Sequence, residues 1–241
     1  MNFLKKIQKN IIQPIHYRGL AITKQMPVYN INIGGAEIPI VSQWYKKLTT
    51  TRFLILNKKI ALALIDLTKF PLFEDYLNSV RGKNSVVYYR NRVFKKGYIF
   101  SKINLNNYIS EIYEINTSAL IRGGRLMTQE YRVKSTAFDI IPQSSTYGVF
   151  KEKKLVAYII LVVLNEVVFI DKLLGHKEYL NDGIMYLLIA DAIKEIYESN
   201  KLKETNVKYV IYDSFLTNGK GLTFFKKRFG FIASCVNWQF K

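Results

Sequence analysis

The sequence has few of the residues from which disulfides and metal centres are built. Its 241 residues include one cysteine, Cys235, so no disulfide can form within the chain. With only two histidines in addition, zinc and iron–sulfur sites that need several cysteine ligands are excluded. We therefore expect no metal ion, and we expect a reducing compartment, the cytoplasm, as the location.

Long hydrophobic runs, proline and glycine are also scarce. The longest apolar run, Leu155–Leu164, has 10 residues, about half of the roughly 20 that a membrane-spanning helix needs. We therefore expect no transmembrane segment. Five prolines and 13 glycines exclude a collagen-like chain, and 49% hydrophobic residues exclude a disordered one. The composition is that of a packed globular protein.

Acidic residues are few, and the positive excess is uneven along the chain. Lys and Arg number 36 against 18 Asp and Glu, a net charge of +18. Residues 1–100 hold 17 basic and 4 acidic residues, whereas residues 101–241 hold 19 and 14. The first 100 residues, at +13, are expected to attract a polyanion such as tRNA, DNA, an anionic membrane surface or a phosphate-rich cofactor. A basic surface without such a partner is the alternative.

Residues 1–70 are predicted to form a basic, β-rich N-terminal extension or a partial subdomain. Apolar spacing predicts an amphipathic helix over Met1–Ile12. A strand, a turn and a second strand are predicted within Tyr29–Ile40, because a glycine pair separates two apolar stretches. Two further strands are predicted at Arg52–Leu56 and Ile60–Ile65.

Residues 71–241 show the alternation of strands and helices that is typical of an α/β (α+β) fold. Helices are predicted after Pro71 and over Asn107–Ser118. From Tyr147 onward the pattern β-β-β-α-β-α-β predicts a mixed sheet covered by helices. The elements are Gly148–Lys151, Leu155–Leu164, Val167–Leu174, Gly183–Tyr197, Val207–Tyr212, Gly221–Phe229 and Ile232–Phe240. Glu166, in a turn between two strands, is expected to be solvated.

Two segments combine positive charge with other features that suit anion binding. Residues 81–102 interleave Arg and Lys with Tyr, a pattern that can stack on bases and neutralise phosphates. The same pattern also describes a solvated helix whose tyrosines point inward. Arg122 and Arg125 flank a glycine pair, which predicts an anion-binding turn.

Three stretches resemble the GNAT superfamily of acyltransferases, in its FemAB-like branch. They are Glu114–Ser118 with Arg122–Met127 and Tyr131, then Leu174–Leu187, then Gly221–Phe231. Together with the order of elements, they cover about residues 70–241, and the first 70 residues show no match. The resemblance implies a GNAT-like acyltransferase domain over 71–241. It also implies acetyl-CoA or another acyl-CoA as co-substrate and an amine-bearing acceptor.

The resemblance also implies where the cofactor binds. The strand Val167–Leu174 would diverge from its neighbour, and the loop and helix after it would hold the pyrophosphate, because free N–H groups and the positive helix end favour phosphate. The implied cofactor-binding residues are Leu173, Leu174, Asn181, Asp182, Gly183 and Ile184. The loop has fewer glycines than the family pattern. Asp182, expected at the N-cap, would compete with a phosphate for the same amides.

The residues implied to act on the acceptor lie near the strand ends. Many GNAT-like enzymes have a tyrosine as general acid in the last helix, where this sequence has Phe225 and Lys226. His176 and Asp171 are the candidate bases, and Asp213 is a candidate ligand of the acceptor amine. The candidate substrate-binding residues are Asn116, Ser118, Arg122, Arg125 and Tyr131.

Three functions remain open at this point. The first is transfer of an acyl group from an acyl thioester to an amine. The second keeps the fold but uses an aminoacyl-tRNA as donor, or a base of DNA or RNA as acceptor, which would explain the charge of the first 100 residues. The third is a catalytically inactive GNAT-like module that binds nucleic acid or a membrane surface.

Overall fold

The computed structural model describes residues 26–34, 62–82, 85–122, 125–139, 141–215 and 220–240. These residues form an eight-stranded mixed sheet with helices packed on it, which is the α/β class that the sequence predicts. The helix predicted over Met1–Ile12 and the strand predicted at Arg52–Leu56 lie outside the described residues.

The strands of the large sheet are β1 (Val28–Ile33), β2 (Leu62–Asp66), β3 (Tyr98–Lys102), β6 (Ser144–Lys151), β7 (Lys154–Leu164), β8 (Val167–Gly175), β9 (Tyr209–Ser214) and β10 (Ile232–Phe240). Their order across the sheet is β1-β10-β2-β9-β8-β7-β6-β3. The pairs β1–β10 and β8–β9 are parallel, and the other described pairs of this sheet are antiparallel. A separate short hairpin consists of β4 (Ile121–Arg122) and β5 (Arg125–Leu126).

Helices pack against two buried clusters of apolar side chains. The helices are α1 (Phe73–Ser79), α2 (Val86–Lys95), α3 (Ile109–Thr117), α4 (Gln129–Arg132), α5 (Ile184–Lys201) and α6 (Lys220–Arg228). The first cluster includes residues of α1, α2 and α5, and the second includes residues of α3. A 3-10 turn, Lys177–Asp182, connects β8 to α5.

Strand β7 is the apolar centre of the sheet. Ile159 and Leu161 belong to one buried cluster, while Tyr158 and Ile160 belong to the other. Because successive side chains of a strand point to opposite faces, a strand covered on both faces has a continuous apolar sequence. This explains why the apolar run Leu155–Leu164 forms a strand rather than a helix.

Two predictions about the region around β9 were wrong, and side-chain hydrogen bonds explain both. The strand was predicted over Val207–Tyr212 but begins two residues later, because the Asn200 side chain binds the N–H and the carbonyl of Val207 at 2.9 and 2.7 Å. Glu166 is buried rather than solvated. Its carboxylate accepts a hydrogen bond from the backbone N–H of Asn32 at 2.8 Å and one from the Lys208 ammonium at 2.9 Å, so it connects β1 to the centre of the sheet.

Candidate functional site

Strands β8 and β9 run parallel but pair only where they begin. Their register ends at Phe169 and Ile211, whereas β8 continues to Gly175. Asp171 is an extra residue of β8 opposite β7, and such a bulge bends a strand. Asp213, near the end of β9, has a left-handed φ of +46°. Because β8 and β9 do not pair with each other beyond Phe169 and Ile211, a cleft lies between their ends.

The cleft has a volume of about 430 Å³ and mostly apolar walls. It lies between the ends of β8 and β9 and is closed by the starts of α5 and α6. Leu173 and Leu174, two of the predicted cofactor-binding residues, line it. The apolar side chains of the wall are Leu173, Leu174, Leu180, Met185, Leu222 and Phe225.

Gly175 ends β8 at the point where the chain passes close to α5. A Cβ atom at this position would lie 2.6 Å from Sδ of Met185 and 3.0 Å from Cδ2 of Leu180. Both of those side chains line the cleft. Glycine at this position therefore sets how closely the turn and α5 approach the sheet, and a larger residue would displace the cleft wall.

Arg122, on β4, forms one side of the cleft. Its Nη1 donates to the carbonyl of Gly175 at 2.8 Å, and its Nη2 donates to the carbonyl of Ile115 at 2.6 Å and to Oγ of Ser118 at 2.9 Å. Its Nε is buried without a hydrogen-bond partner. Burial lowers the pKa of the guanidinium. No carboxylate among the described residues forms an ion pair with it.

Three of the predicted substrate-binding residues, Asn116, Ser118 and Arg122, lie together beside the cleft. Ser118 Oγ accepts from Arg122 and from the backbone N–H of Lys177, the latter at 3.0 Å. Asn116 Oδ1 accepts from the hydroxyl of the buried Tyr158 at 2.9 Å. Burial raises the pKa of Tyr158, which keeps this hydroxyl protonated. These polar groups fix one another and the adjacent end of β8.

The other two predicted substrate-binding residues lie further along the chain. Tyr131, on α4, has the ammonium of Lys172 5.4 Å from its ring centre. Lys172 in turn pairs with Glu130 at 3.0 Å. The backbone of Arg125 belongs to β5, and its side chain lies outside the described residues.

Lys226, on α6, is a buried cation behind the cleft wall. The residue has 0% exposure, and its ammonium donates to the carbonyls of Tyr212 at 2.6 Å and Ser214 at 2.8 Å. It also lies 4.3 Å from the centre of the Tyr212 ring. Burial lowers its pKa to about 8, although the negative charge of Asp213 opposes the shift. The resemblance places Phe225 and Lys226 where many GNAT-like enzymes have their general acid, but the inward orientation of Lys226 was not foreseen.

The first turn of α5, where a phosphate was predicted to bind, is covered by a tyrosine of α2. Gly183 has a left-handed φ of +93°, and both Gly183 and Ile184 are buried. A Cβ on Gly183 would lie 3.1 Å from Cδ1 of Tyr89, whose ring stacks on Tyr186 with 4.5 Å between ring centres. The Gly183 N–H already donates to the carbonyl of Leu180 at 3.0 Å, and we expect a phosphate at the following amides to meet the Tyr89 ring.

Asp182 does not cap α5, so that expectation was wrong. Gly183 is the N-cap residue, and the Asp182 carboxylate instead accepts hydrogen bonds from the Lys96 ammonium and, at 2.5 Å, from the Tyr98 hydroxyl. The bond from Lys96, and then that from Tyr98, lowers the pKa of Asp182. Asn181 is exposed on the same turn. The assignment of these residues to a cofactor remains a prediction.

The three candidate catalytic residues do not line the cleft. His176 follows β8, and its Nδ1 accepts from the N–H of Glu178 at 3.4 Å, so it caps the 3-10 turn. Asp171 is exposed and borders a second cavity, of about 460 Å³, together with Lys172. Asp213 is exposed at the end of β9. Their catalytic roles remain predictions.

The described ranges contain neither a candidate metal site nor a candidate membrane span. No group of three or more His, Cys, Asp or Glu side chains there is placed to hold a metal ion. None of the helices in the same ranges is both long enough and apolar enough to cross a bilayer.

Neither a protein-family model nor a curated protein matches the chain. The chain is similar to several solved structures. The C-terminal domain of a proposed lysylphosphatidylglycerol synthetase from Agrobacterium fabrum is 16% identical over 73% of this chain, with a TM-score of 0.51, and this chain spans 58% of that one. A GCN5-related N-acetyltransferase from Kribbella flavida is 11% identical over 73% of this chain, with a TM-score of 0.40, and this chain spans 55% of it. The PaiA N-acetyltransferase from Thermoplasma acidophilum, in complex with coenzyme A, is 14% identical over 54% of this chain. Its TM-score is 0.39, and this chain spans 87% of it.

At these identities the likeness concerns the fold. The predicted GNAT-like mixed sheet flanked by helices is confirmed. The FemAB-like branch remains a prediction.

Proposed function

We propose that the protein is an acyltransferase that moves an acyl group from an acyl thioester, an acyl-CoA, to an amine. The observation that carries this proposal is the cleft where β8 and β9 stop pairing. It coincides with the strand divergence that the resemblance implies. The reaction forms a bond between the amine nitrogen and the carbonyl carbon and breaks the bond from that carbon to sulfur. The amine gives up a proton and the thiolate takes one.

The residues of the cleft fit the thioester end of such a donor. The arm that carries the thioester is narrow and uncharged, and the wall is made mostly of apolar side chains. After Phe169, the edge of β8 has backbone groups that do not pair with β9 and can bind the amides of the arm. The acceptor would approach past Asn116, Ser118 and Arg122, with His176 as the proposed base.

Titration calorimetry with acetyl-CoA tests this function. Leu222→Trp places a bulky side chain in the cleft, and Leu202→Trp alters an exposed position just after α5 as a matched control. We expect the wild type and the Leu202 variant to bind alike and the Leu222 variant to lose about tenfold or more in affinity. If the wild type gave no heat and released no thiol with any amine, the proposal would be wrong.

A second candidate function is supported by exposed aromatic rings that lie near cations on α2 and α6. Tyr88 on α2 is 53% exposed and Phe224 on α6 is 58% exposed. The Arg228 guanidinium lies 4.6 Å from the centre of the Phe224 ring, and Arg92 is exposed on α2. Such surfaces stack on bases and neutralise phosphates. The candidate is a transferase that uses an aminoacyl-tRNA or a nucleic-acid base, or a module that only binds nucleic acid.

A further inference from the structure

Two cations flank the cleft, the partly buried Arg122 and the buried Lys226, and neither forms an ion pair with a carboxylate among the described residues. Arg122 bonds to two carbonyls and a hydroxyl, and Lys226 bonds to two carbonyls. Burying a charge without an opposite charge is costly. The two cations make the cleft electropositive although its walls are mostly apolar.

Arg122 is the cation that a ligand can reach. It lines the cleft, whereas Lys226 has no exposed surface. A guanidinium has five N–H donors, and only three of those of Arg122 are used in the protein. The unused donors are the buried Nε–H and one N–H of Nη1. Arg122 can therefore keep its hydrogen bonds within the fold and still donate a hydrogen bond to an atom of a ligand.

We infer that the acceptor carries an anionic group, a carboxylate or a phosphate, next to its amine, and that Arg122 recognises this group. The inference rests on the proposed function, since the acceptor is the second substrate of that reaction. Carboxylate and phosphate oxygens form charge-assisted hydrogen bonds with a guanidinium, and these bonds are stronger than those of neutral acceptors. The anion would also supply an opposite charge for Arg122, which has no carboxylate partner among the described residues.

Matched pairs of amines test this inference. Leucine is compared with leucinamide, which lacks the carboxylate, and phosphoethanolamine is compared with ethanolamine, which lacks the phosphate. Binding is followed by the ¹⁵N–¹H resonance of Arg122 Nε, assigned with Arg122→Lys. Transfer is followed by release of thiol from acetyl-CoA. We expect at least one anionic amine to shift this resonance, to bind about tenfold or more tightly than its neutral partner, and to react faster. The pair that shows the difference identifies the anion.

Arg122→Met tests the role of the guanidinium, and Arg132→Met, at an exposed position on α4, is the control. The Arg122 variant should lose the preference for the anionic amine, so that it binds the two members of each pair with equal affinity. Equal binding of both members of each pair by the wild type would overturn the inference, and this comparison needs no variant. If an anionic amine shifts the resonance but no donor is consumed, the anion site stands and the transferase proposal fails.

Discussion

A single lysine shows how burial changes the chemistry of a residue in this protein. Most of the described lysines are exposed at the surface, where water solvates their charge, but Lys226 has 0% exposure. Its pKa falls from an ordinary 10.5 to about 8, because the charged form is the one that burial disfavours. The Lys226 ammonium therefore releases its proton within the range in which proteins are handled.

This shift predicts a pH-dependent stability that Lys226→Met removes. Between pH 8 and 10.5 the unfolded chain holds a proton that the folded protein has released, so the stability of the wild type rises with pH, by roughly 1 kcal/mol per unit. Below pH 8 both states are protonated and the contribution is constant. Urea unfolding across this interval should show the rise in the wild type and in Lys227→Met, an exposed neighbour, but not in Lys226→Met. Parallel curves for all three proteins would contradict the prediction.

At the scale of elements, the contact between α2 and the start of α5 decides access to the predicted cofactor site. Tyr89 covers Gly183 and stacks on Tyr186. Arg90, its neighbour on α2, forms a partly buried ion pair with Asp191 of α5 at 2.7 Å. The two helices are thus held together independently of the Tyr89 ring, so the ring can be removed without separating them.

Tyr89→Ala is predicted to strengthen binding of coenzyme A. When a side chain covers a binding site for part of the time, the observed affinity of the ligand falls in proportion to the fraction of time for which the site is open. Removing the ring should therefore raise the affinity severalfold, and Tyr88→Ala, on the exposed side of the same helix, should leave it unchanged. Calorimetry with coenzyme A measures both. Weaker binding by the Tyr89 variant would mean that the ring contacts the ligand instead of covering its site.

Elements were more predictable from the sequence than contacts. The apolar run that became β7 and the periodic helix that became α5 carry their patterns within one segment, and both were predicted. The bonds of Arg122 to Gly175 and the cover that Tyr89 provides join residues about 50 and 90 positions apart. No local pattern encodes such contacts, because they depend on how the elements pack.

For the molecule as a whole, the excess of positive charge is the main feature that the cleft does not explain. The basic segment 81–102 divides into inward and outward parts. Arg90 pairs with Asp191 and Tyr98 bonds to Asp182, whereas Tyr88 and Arg92 are exposed. The inward side chains fit the interpretation of a helix with tyrosines against the core, and for the exposed side chains nucleic-acid binding remains a prediction.

The exposed part predicts salt-sensitive binding of tRNA. Cations that neutralise phosphates release counterions, so affinity should fall about tenfold or more between roughly 50 and 200 mM salt. Arg92→Ala with Lys95→Ala, on α2, should weaken binding and reduce the salt dependence, and Lys201→Ala with Lys203→Ala, at the far end of α5, should not. Filter binding with labelled tRNA measures both. Equal losses in the two double variants would indicate attraction to charge alone.

The position of β10 has a consequence for how this protein is made. β10 lies between β1 and β2, parallel to the first and antiparallel to the second. Residues 28–66 are synthesised long before residues 232–240. In the finished sheet, residues 232–240 form the strand that lies between β1 and β2 and pairs with both. Until residues 232–240 have been synthesised, the apolar side chains of β1 lack their neighbouring strand. We therefore expect these side chains to be prone to aggregation in the unfinished chain.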